Sequence, residues 1–202
     1  MIAYVESNFI LELAYAQEEH TACDHILALS EQGSFVLAVP GFCLGEPYES
    51  WVRRSKDRQA LHDRFAREMR ELSRSQSYST IGRESQKISR ILIQSGNEEK
   101  TRLDGTIMRM IDIASIIPLD RETMRSAIHL QVERSLSPQD AIVYASVLTH
   151  MESKLGEEKC FLTKNARDFA NPDIIQDLIA RNCKLLVHFD HGLTYVQNQI
   201  RR

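Results

Sequence analysis

Four acidic residues stand where predicted strands end or predicted helices begin. Glu6 directly follows the first apolar run, and Glu46 comes shortly after the second one. Asp140 lies in the first turn of a predicted helix, and Asp168 lies in the loop after a later strand. Because an open parallel sheet gathers its functional groups at the carboxyl ends of its strands, we expect these four carboxylates to form one catalytic site.

Four carboxylates in one site repel one another unless a cation neutralises them. Hard divalent ions such as Mg²⁺ or Mn²⁺ prefer oxygen ligands, and a bound ion activates water and orients a phosphate group. The pattern therefore indicates metal-dependent hydrolysis of a phosphodiester bond. We assign the metal to Glu6, Asp140 and Asp168, with Asn8, Thr163 and Asn165 as supporting polar residues.

Each acid also has a simpler explanation when it is taken alone. Asp140 and Glu46 could be first-turn acids that the positive end of a helix stabilises. Glu6 could be a solvent-facing residue at a strand end, and Asp168 could cap a turn. Only the joint placement of the four residues favours a shared site.

Apolar strands alternate with amphipathic helices along the chain, which indicates an α/β fold with a mainly parallel sheet. We predict strands over residues 2–5, 34–40, 116–119, 160–163 and 184–189. Between them we predict helices that begin near residues 8, 21, 44, 84, 120, 137, 172 and 192. Gly96 and Asn97 are expected to break the helix that begins near residue 84. Ser137 and Pro138 are expected to start the helix that carries Asp140.

The bulk composition favours one globular domain. The chain has 202 residues, 43% of them hydrophobic, and a formal net charge of −3. That length supports a sizeable core, and the overall charge does not by itself indicate a nucleic-acid-binding protein. The start of the chain lacks the basic segment of a signal peptide, and no window approaches a membrane span, so we expect a cytoplasmic protein without membrane contact.

One segment is locally basic. Residues 51–90 hold eleven Lys or Arg and only five Asp or Glu. Arg64, Arg67 and Arg70 fall at helical spacing and form a stripe that is a candidate for binding a nucleic-acid backbone. The alternative is a solvated helix face, partly paired with Glu68 and Glu71.

Four motifs in order along the chain resemble those of PIN domains. The runs are Tyr4–Ala14, Val39–Glu46, Ser137–Ala145 and Phe161–Phe169. The first is similar to the opening motif of the family, an acid, a small residue and Asn after the first strand. Each motif is weak alone, but the ordered set is fairly specific.

This resemblance implies a Rossmann-like three-layer α/β/α sandwich with a mainly parallel sheet. It implies one domain over residues 1–202, with a helical insertion at about residues 49–115. It also implies a Mg²⁺- or Mn²⁺-dependent ribonuclease and suggests the toxin of a VapC-type toxin–antitoxin pair. The expected partners are then RNA and an antitoxin protein, and a homodimer is a further candidate assembly.

Two positions depart from the family pattern. The first acid is usually Asp, and here it is Glu6; the fourth motif usually has an acid where this chain has Asn165. Asp168 is the candidate replacement. The departures leave open a catalytically decayed PIN-like module that binds RNA or a protein partner. A phosphatase of the haloacid-dehalogenase type needs an Asp nucleophile after the first strand, which Glu6 does not provide.

Overall fold

Five parallel strands form one sheet in a computed structural model of the chain, which describes residues 1–78 and 82–201. The strands are β1 (Ile2–Val5), β2 (Val36–Pro40), β3 (Ser115–Ile117), β4 (Lys159–Leu162) and β5 (Cys183–Leu186). Their order in the sheet is β3-β2-β1-β4-β5. The predicted mainly parallel α/β sheet is thereby confirmed.

Helices connect and cover the strands. They are α1 (Ser7–Tyr15), α2 (His20–Glu31), α3 (Phe42–Leu72), α4 (Gly82–Ile113), α5 (Arg121–Glu133), α6 (Pro138–Glu152), α7 (Ala166–Phe169), α8 (Pro172–Ala180) and α9 (Phe189–Ile200). α2 packs against α1 and α9 on one face of the sheet, and α5 packs against α6 on the other. This arrangement agrees with right-handed crossovers and with the predicted three-layer sandwich.

The strand order creates a switch point beside β1. β2 lies on one side of β1 and β4 lies on the other. Val5 pairs with Leu162, so the residues that follow, Glu6 and Thr163, leave the sheet side by side. Crevices at such switch points are where open parallel sheets bind ligands.

The two central strands are buried along their whole length. Every residue of β1 and β4 is buried, which fits strands that helices cover on both faces. The rings of Phe9 and Phe189 pack edge-to-face with their centroids 5.4 Å apart, and they anchor α1 and α9 to the core. The core thus holds the first turn of α1, and with it the end of β1, in a fixed position.

α4 corrects one sequence prediction, because Gly96 and Asn97 do not interrupt it. A glycine costs only about 1 kcal/mol inside a helix, and packing against α3 offsets that cost. The indole N–H of Trp51 donates to the Gly96 carbonyl at 3.0 Å. The Arg58 guanidinium makes two bonds of 2.7 Å to the buried Glu99 carboxylate. Tertiary contacts across the two helices therefore override the local signal.

α3 and α4 run antiparallel and occupy most of the predicted insertion at residues 49–115. That the chain is one domain over residues 1–202 with a helical insertion stays a prediction. β5 ends at Leu186, earlier than predicted, because Phe189 already begins α9. Within the described ranges, no helix combines the length and the apolar character that crossing a bilayer needs.

Candidate active site

Glu6 caps the first helix with its own side chain. The carboxylate of Glu6 accepts the backbone N–H of Asn8 at 2.8 Å through Oε2. Its Oε1 accepts the hydroxyl of Thr163 at 2.9 Å. Glu6 is 6% exposed and Thr163 is fully buried, so this pair ties the ends of β1 and β4 together inside the protein.

Glu46 reaches the same crevice from the second turn of α3. The hydroxyl of Ser7 donates to Oε2 of Glu46. Ser7 lies between Glu6 and Asn8 in α1 and is buried. α1 therefore holds two acids at once, Glu6 through its N-terminal cap and Glu46 through Ser7.

Asp140 is held by its own helix cap and by the loop after β4. The backbone N–H of Asp140 donates to the hydroxyl oxygen of Ser137, which in turn donates to Oδ2 of Asp140 at 2.5 Å. Nδ2 of Asn165 donates to Oδ1 of Asp140 at 3.0 Å. The predicted start of α6 at Ser137 and Pro138 is confirmed, and this cap orients the acid.

A short chain of hydrogen bonds joins two of these acids. The backbone N–H of Asn165 donates to Oγ1 of Thr163 at 2.8 Å, and that hydroxyl donates to Glu6. The side chain of Asn165 reaches Asp140. The fourth motif thus links Glu6 to Asp140 through two neutral residues.

Asp168 is not on the wall of this crevice, contrary to expectation. It lies in the short helix α7, one turn beyond Asn165, and is half-buried. Its neighbour Phe169 is buried and contacts Phe161 edge-to-face at 5.1 Å. Asp168 is not among the residues that line the cavity described below, and its side chain leaves α7 about 100° away from that of the core residue Phe169. Asn165 occupies the position that the sequence assigned to Asp168.

The acids surround one open cavity of about 350 Å³ at the carboxyl ends of β1, β2 and β4. Its lining contains three of the four acids expected from the sequence, together with both asparagines. The lining residues are Glu6, Ser7, Asn8, Leu11, Glu46, Glu49, Ser50, Arg53, Ser137, Gln139, Asp140, Val143 and Asn165. This carboxylate cavity is where the switch-point rule places a ligand.

Burial and mutual repulsion change the acidity of two carboxyl groups. Burial, and to a smaller extent the charge of Glu46, raises the pKa of Glu6 to about 7, although the bonds from Asn8 and Thr163 oppose this shift. Burial and the charge of Asp140 also raise the pKa of Glu46. These carboxylates interact electrostatically across the cavity, and a cation there would favour their ionised forms.

The donor set fits a hard divalent cation. Glu6, Glu46 and Asp140 offer only oxygen, as Mg²⁺ and Mn²⁺ prefer. Among the described residues, no three Asp, Glu, His or Cys side chains are grouped to hold an ion by themselves. Mg²⁺ usually keeps several waters and binds through one or two carboxylates, so the cavity does not need a closed cage. The side-chain carbonyl oxygen of Asn165 is a further suitable metal ligand.

Sequence reasoning missed two residues that matter in this geometry. Ser7 was seen only as a small residue between Glu6 and Asn8, yet it bonds to Glu46. Arg53 lines the cavity, whereas the sequence placed the RNA-binding charge farther along the same helix. The signal for Arg53 was its spacing of seven residues from Glu46, which is two turns on the same face.

The predicted stripe of Arg64, Arg67 and Arg70 is exposed on α3 but lies far from the cavity. Arg64 follows Glu46 by eighteen residues, which corresponds to about 27 Å along a helix. The structure therefore does not bring the stripe beside the acids. Arg70 donates to the Ala66 carbonyl of its own helix at 3.3 Å.

Comparisons with known proteins add an independent finding. A family model described as PIN domain matches residues 4–169. The structure of VapBC2 from Rickettsia felis bound to a DNA fragment from their promoter is similar with a TM-score of 0.46 and 12% sequence identity. That similarity covers 92% of this chain and 98% of the other chain. No curated protein sequence matches the chain.

Proposed function

The chain belongs to the PIN-domain family, and from this premise we propose that it is a divalent-metal-dependent ribonuclease. PIN domains are generally nucleases and typically use divalent metals. In this proposal, Glu6, Glu46 and Asp140 form the catalytic set, with Asn165 in the place that the sequence gave to Asp168. The choice of RNA, rather than DNA, rests on the family resemblance.

One observation carries the proposal: three acids from three separate segments line a single cavity. Ser7 holds Glu46, and Ser137 and Asn165 hold Asp140. Burial raises the pKa values of Glu6 and Glu46, and such shifts cost stability and are frequent at functional sites. A solvated surface would not need such support for its acids.

The residues divide the work of the proposed reaction. A bound Mg²⁺ or Mn²⁺ would supply an activated water and neutralise charge on the phosphate. Glu46 and Asp140 are less buried than Glu6 and would contact the ion directly. Glu6 is the most buried of the three acids, and Thr163 holds it in place. It would add negative charge at the bottom of the carboxylate cavity. Asn165 keeps Asp140 pointed into the cavity.

The experiment is a cleavage assay on a fluorescent single-stranded RNA with metal-stripped protein. We expect cleavage on addition of Mn²⁺ and none in excess chelator. Asp140→Asn should lower the rate by more than about tenfold, because removing a metal ligand costs at least as much as removing its outer-shell support. Asp190→Asn is the matched control, since Asp190 is an exposed first-turn acid of α9. Equal rates for Asp140→Asn and the parent, or cleavage that survives chelator, would contradict the proposal.

The alternative is a non-catalytic PIN-like module that binds RNA or a protein partner. It is favoured by Glu6 and Asn165, the two departures from the family pattern. The same assay separates the two functions, because a decayed module would bind RNA and cleave none of it at any metal concentration. The toxin role, the antitoxin partner and the homodimer remain predictions from the resemblance.

A further inference from the structure

Beside the carboxylate cavity, α3 presents a shallow surface that we call the α3 shelf. It is lined by Tyr48, Glu49, Val52, Arg53, Lys56 and Asp57. Glu49 and Arg53 also line the carboxylate cavity, so the two surfaces are continuous. A chain bound in the cavity would pass directly onto the α3 shelf.

The cavity needs a cation to admit a polyanion. Its described lining includes four acids and a single basic residue, Arg53. Unpaired Lys and Arg side chains bind nucleic-acid backbones by neutralising phosphates and releasing counterions. Of the residues that the structure describes, Arg53 is the basic side chain that lines the acidic cavity.

The basic residues of this part of α3 fall into two classes. Arg54 and Arg58 lie within 3.9 Å and 2.7 Å of the Glu99 carboxylate, so their charge is already used inside the protein. Arg53 and Lys56 are exposed, and neither lies within ion-pair distance of a carboxylate in the described part of the chain. Their charge is therefore free for a ligand.

Spacing decides which phosphate Arg53 can bind. It lies two helical turns beyond Glu46, about 10 Å along the axis. A guanidinium at that distance would suit a phosphate next to one held by the acids, and its planar fork matches two phosphate oxygens. The spacing therefore fits Arg53 to a positioning role for a neighbouring nucleotide.

The α3 shelf also exposes apolar surface. Val52 is 39% exposed. Tyr48 is fixed, because its hydroxyl donates to Asp104 at 2.8 Å and the Lys100 ammonium lies 5.1 Å from its ring centroid. A rigid aromatic residue beside an exposed aliphatic one suits the face of a nucleobase that is free of its stack.

We propose that the α3 shelf binds the nucleotide adjacent to the cleaved one, with Arg53 on its phosphate and Val52 and Tyr48 against its base. This inference rests on the proposed ribonuclease function. It differs from the predicted stripe at Arg64, Arg67 and Arg70 because it is continuous with the acids. Glu49 and Asp57 on the α3 shelf are acidic and would repel further phosphates, so we expect the shelf to bind one phosphate only.

The test measures binding to two fluorescent probes in Ca²⁺, an oxygen-preferring cation that would offset the charge of the acids, and checks afterwards that the probes are uncleaved. One probe is an unstructured twelve-nucleotide RNA, and the other is a base-free ribose-phosphate chain of the same length. Arg53→Gln should weaken both by roughly fivefold at low salt and reduce the salt slope by about 0.7, the value for one phosphate of a single strand. Val52→Ser should weaken only the RNA, by roughly threefold, as expected for losing part of one apolar contact.

Arg201→Gln is the matched control, since Arg201 is exposed and follows α9 at the far end from the cavity. It should bind both probes like the parent. Three results would overturn the proposed nucleotide site. Arg53→Gln could bind the probes like the parent, Val52→Ser could weaken binding of both probes equally, or the parent could bind neither probe.

A cleavage assay in Mn²⁺ distinguishes failure of the proposed nucleotide site from failure of the proposed ribonuclease function. A parent that binds with the expected pattern but never cleaves would remove the ribonuclease and keep the nucleotide site. A parent that cleaves, with Arg53→Gln unchanged in binding and in KM, would keep the ribonuclease and remove the nucleotide site.

Discussion

Glu6 shows how burying a single acidic residue lowers the stability of the folded protein. Glu6 is 6% exposed, and burial raises the pKa of its carboxyl group to about 7. The hydrogen bonds from Asn8 and Thr163 do not fully offset the lost hydration. The negative charge of Glu6, which the proposed cation site uses, is therefore present only at a cost to the stability of the folded protein.

This cost gives a prediction for the metal-free protein. Below pH 4.5 Glu6 is protonated in both folded and unfolded states. As pH rises through the unfolded value toward about 7, the unfolded chain loses its proton first, so the free energy of unfolding falls. A shift of this size corresponds to about 3 kcal/mol above pH 7.

Glu6→Gln removes that titration and should stabilise the protein more at pH 8.5 than at pH 5, by about 3 kcal/mol. The measurement is denaturant unfolding in chelator at both pH values. Glu68→Gln, at an exposed position on α3, is the control and should show no such difference. A gain for Glu6→Gln that is equal at the two pH values would contradict the assignment.

Asn165 gives a second prediction at this scale. Asn165→Asp places a carboxylate where an amide now donates to Asp140 at 3.0 Å. Repulsion should lower the melting temperature in chelator, while the added charge should tighten Mn²⁺ binding measured by calorimetry. Asn171→Asp, at the N-cap of α8, should change neither, because Asp and Asn cap equally well. Unchanged metal affinity for Asn165→Asp would place Asn165 outside the site.

At the scale of secondary structure, local signals predicted most of the elements. β1 was found with its exact bounds, and the Ser137 cap of α6 was correct. Those features depend on neighbouring residues alone. The continuity of α4 through Gly96 depends on a partner distant in sequence, Trp51, and the placement of Asp168 depends on how α7 packs on the core through Phe169. No local pattern contains that information, so the sequence did not predict that the cavity lining includes Asn165 and omits Asp168.

The glycines of the helices test this view of packing. A methyl group at Gly96 would lie 3.8 Å from its nearest neighbour, a nitrogen of Arg58, so there is room for it. Gly96→Ala should therefore stabilise the protein by about 0.5–1 kcal/mol through helix propensity. A methyl group at Gly192 would lie 2.8 Å from the buried side chain of Leu162. Gly192→Ala should destabilise by about 1–2 kcal/mol in spite of its propensity gain.

Denaturant unfolding of both variants checks this prediction. Gly105→Ala is the control for propensity alone, because the added carbon would have no described atom within 4 Å beyond its chain neighbours and the adjacent backbone of α4. It should resemble Gly96→Ala. Destabilisation by Gly96→Ala would contradict the space beside α4, and stabilisation by Gly192→Ala would contradict the close packing of α9 on Leu162.

At the scale of the whole molecule, α3 connects the acids to the exposed arginine stripe. Glu46 is near the start of the helix, and Arg70 lies near its end, about 36 Å away along the axis. A long RNA bound in the cavity could follow the helix to that stripe. A short RNA could not reach it.

The length of the RNA therefore decides the role of the stripe. Changing Arg64, Arg67 and Arg70 together to Glu should weaken a twenty-four-nucleotide RNA and reduce its salt slope by up to about 2, at about 0.7 for each lost phosphate contact. A four-nucleotide RNA should bind as it does to the parent. Equal binding of the long RNA to parent and variant would assign the stripe to a solvated surface.

The most direct test of the catalytic site is the rate of RNA cleavage at saturating Mn²⁺ for the parent, Glu6→Gln and Glu6→Asp. Gln keeps the size of the side chain but removes its charge, so metal binding and cleavage should both collapse. Asp restores the acid usual in the family, so cleavage should be kept or increased. Equal rates for Glu6→Gln and the parent would remove Glu6 from the site and contradict the metal-dependent mechanism.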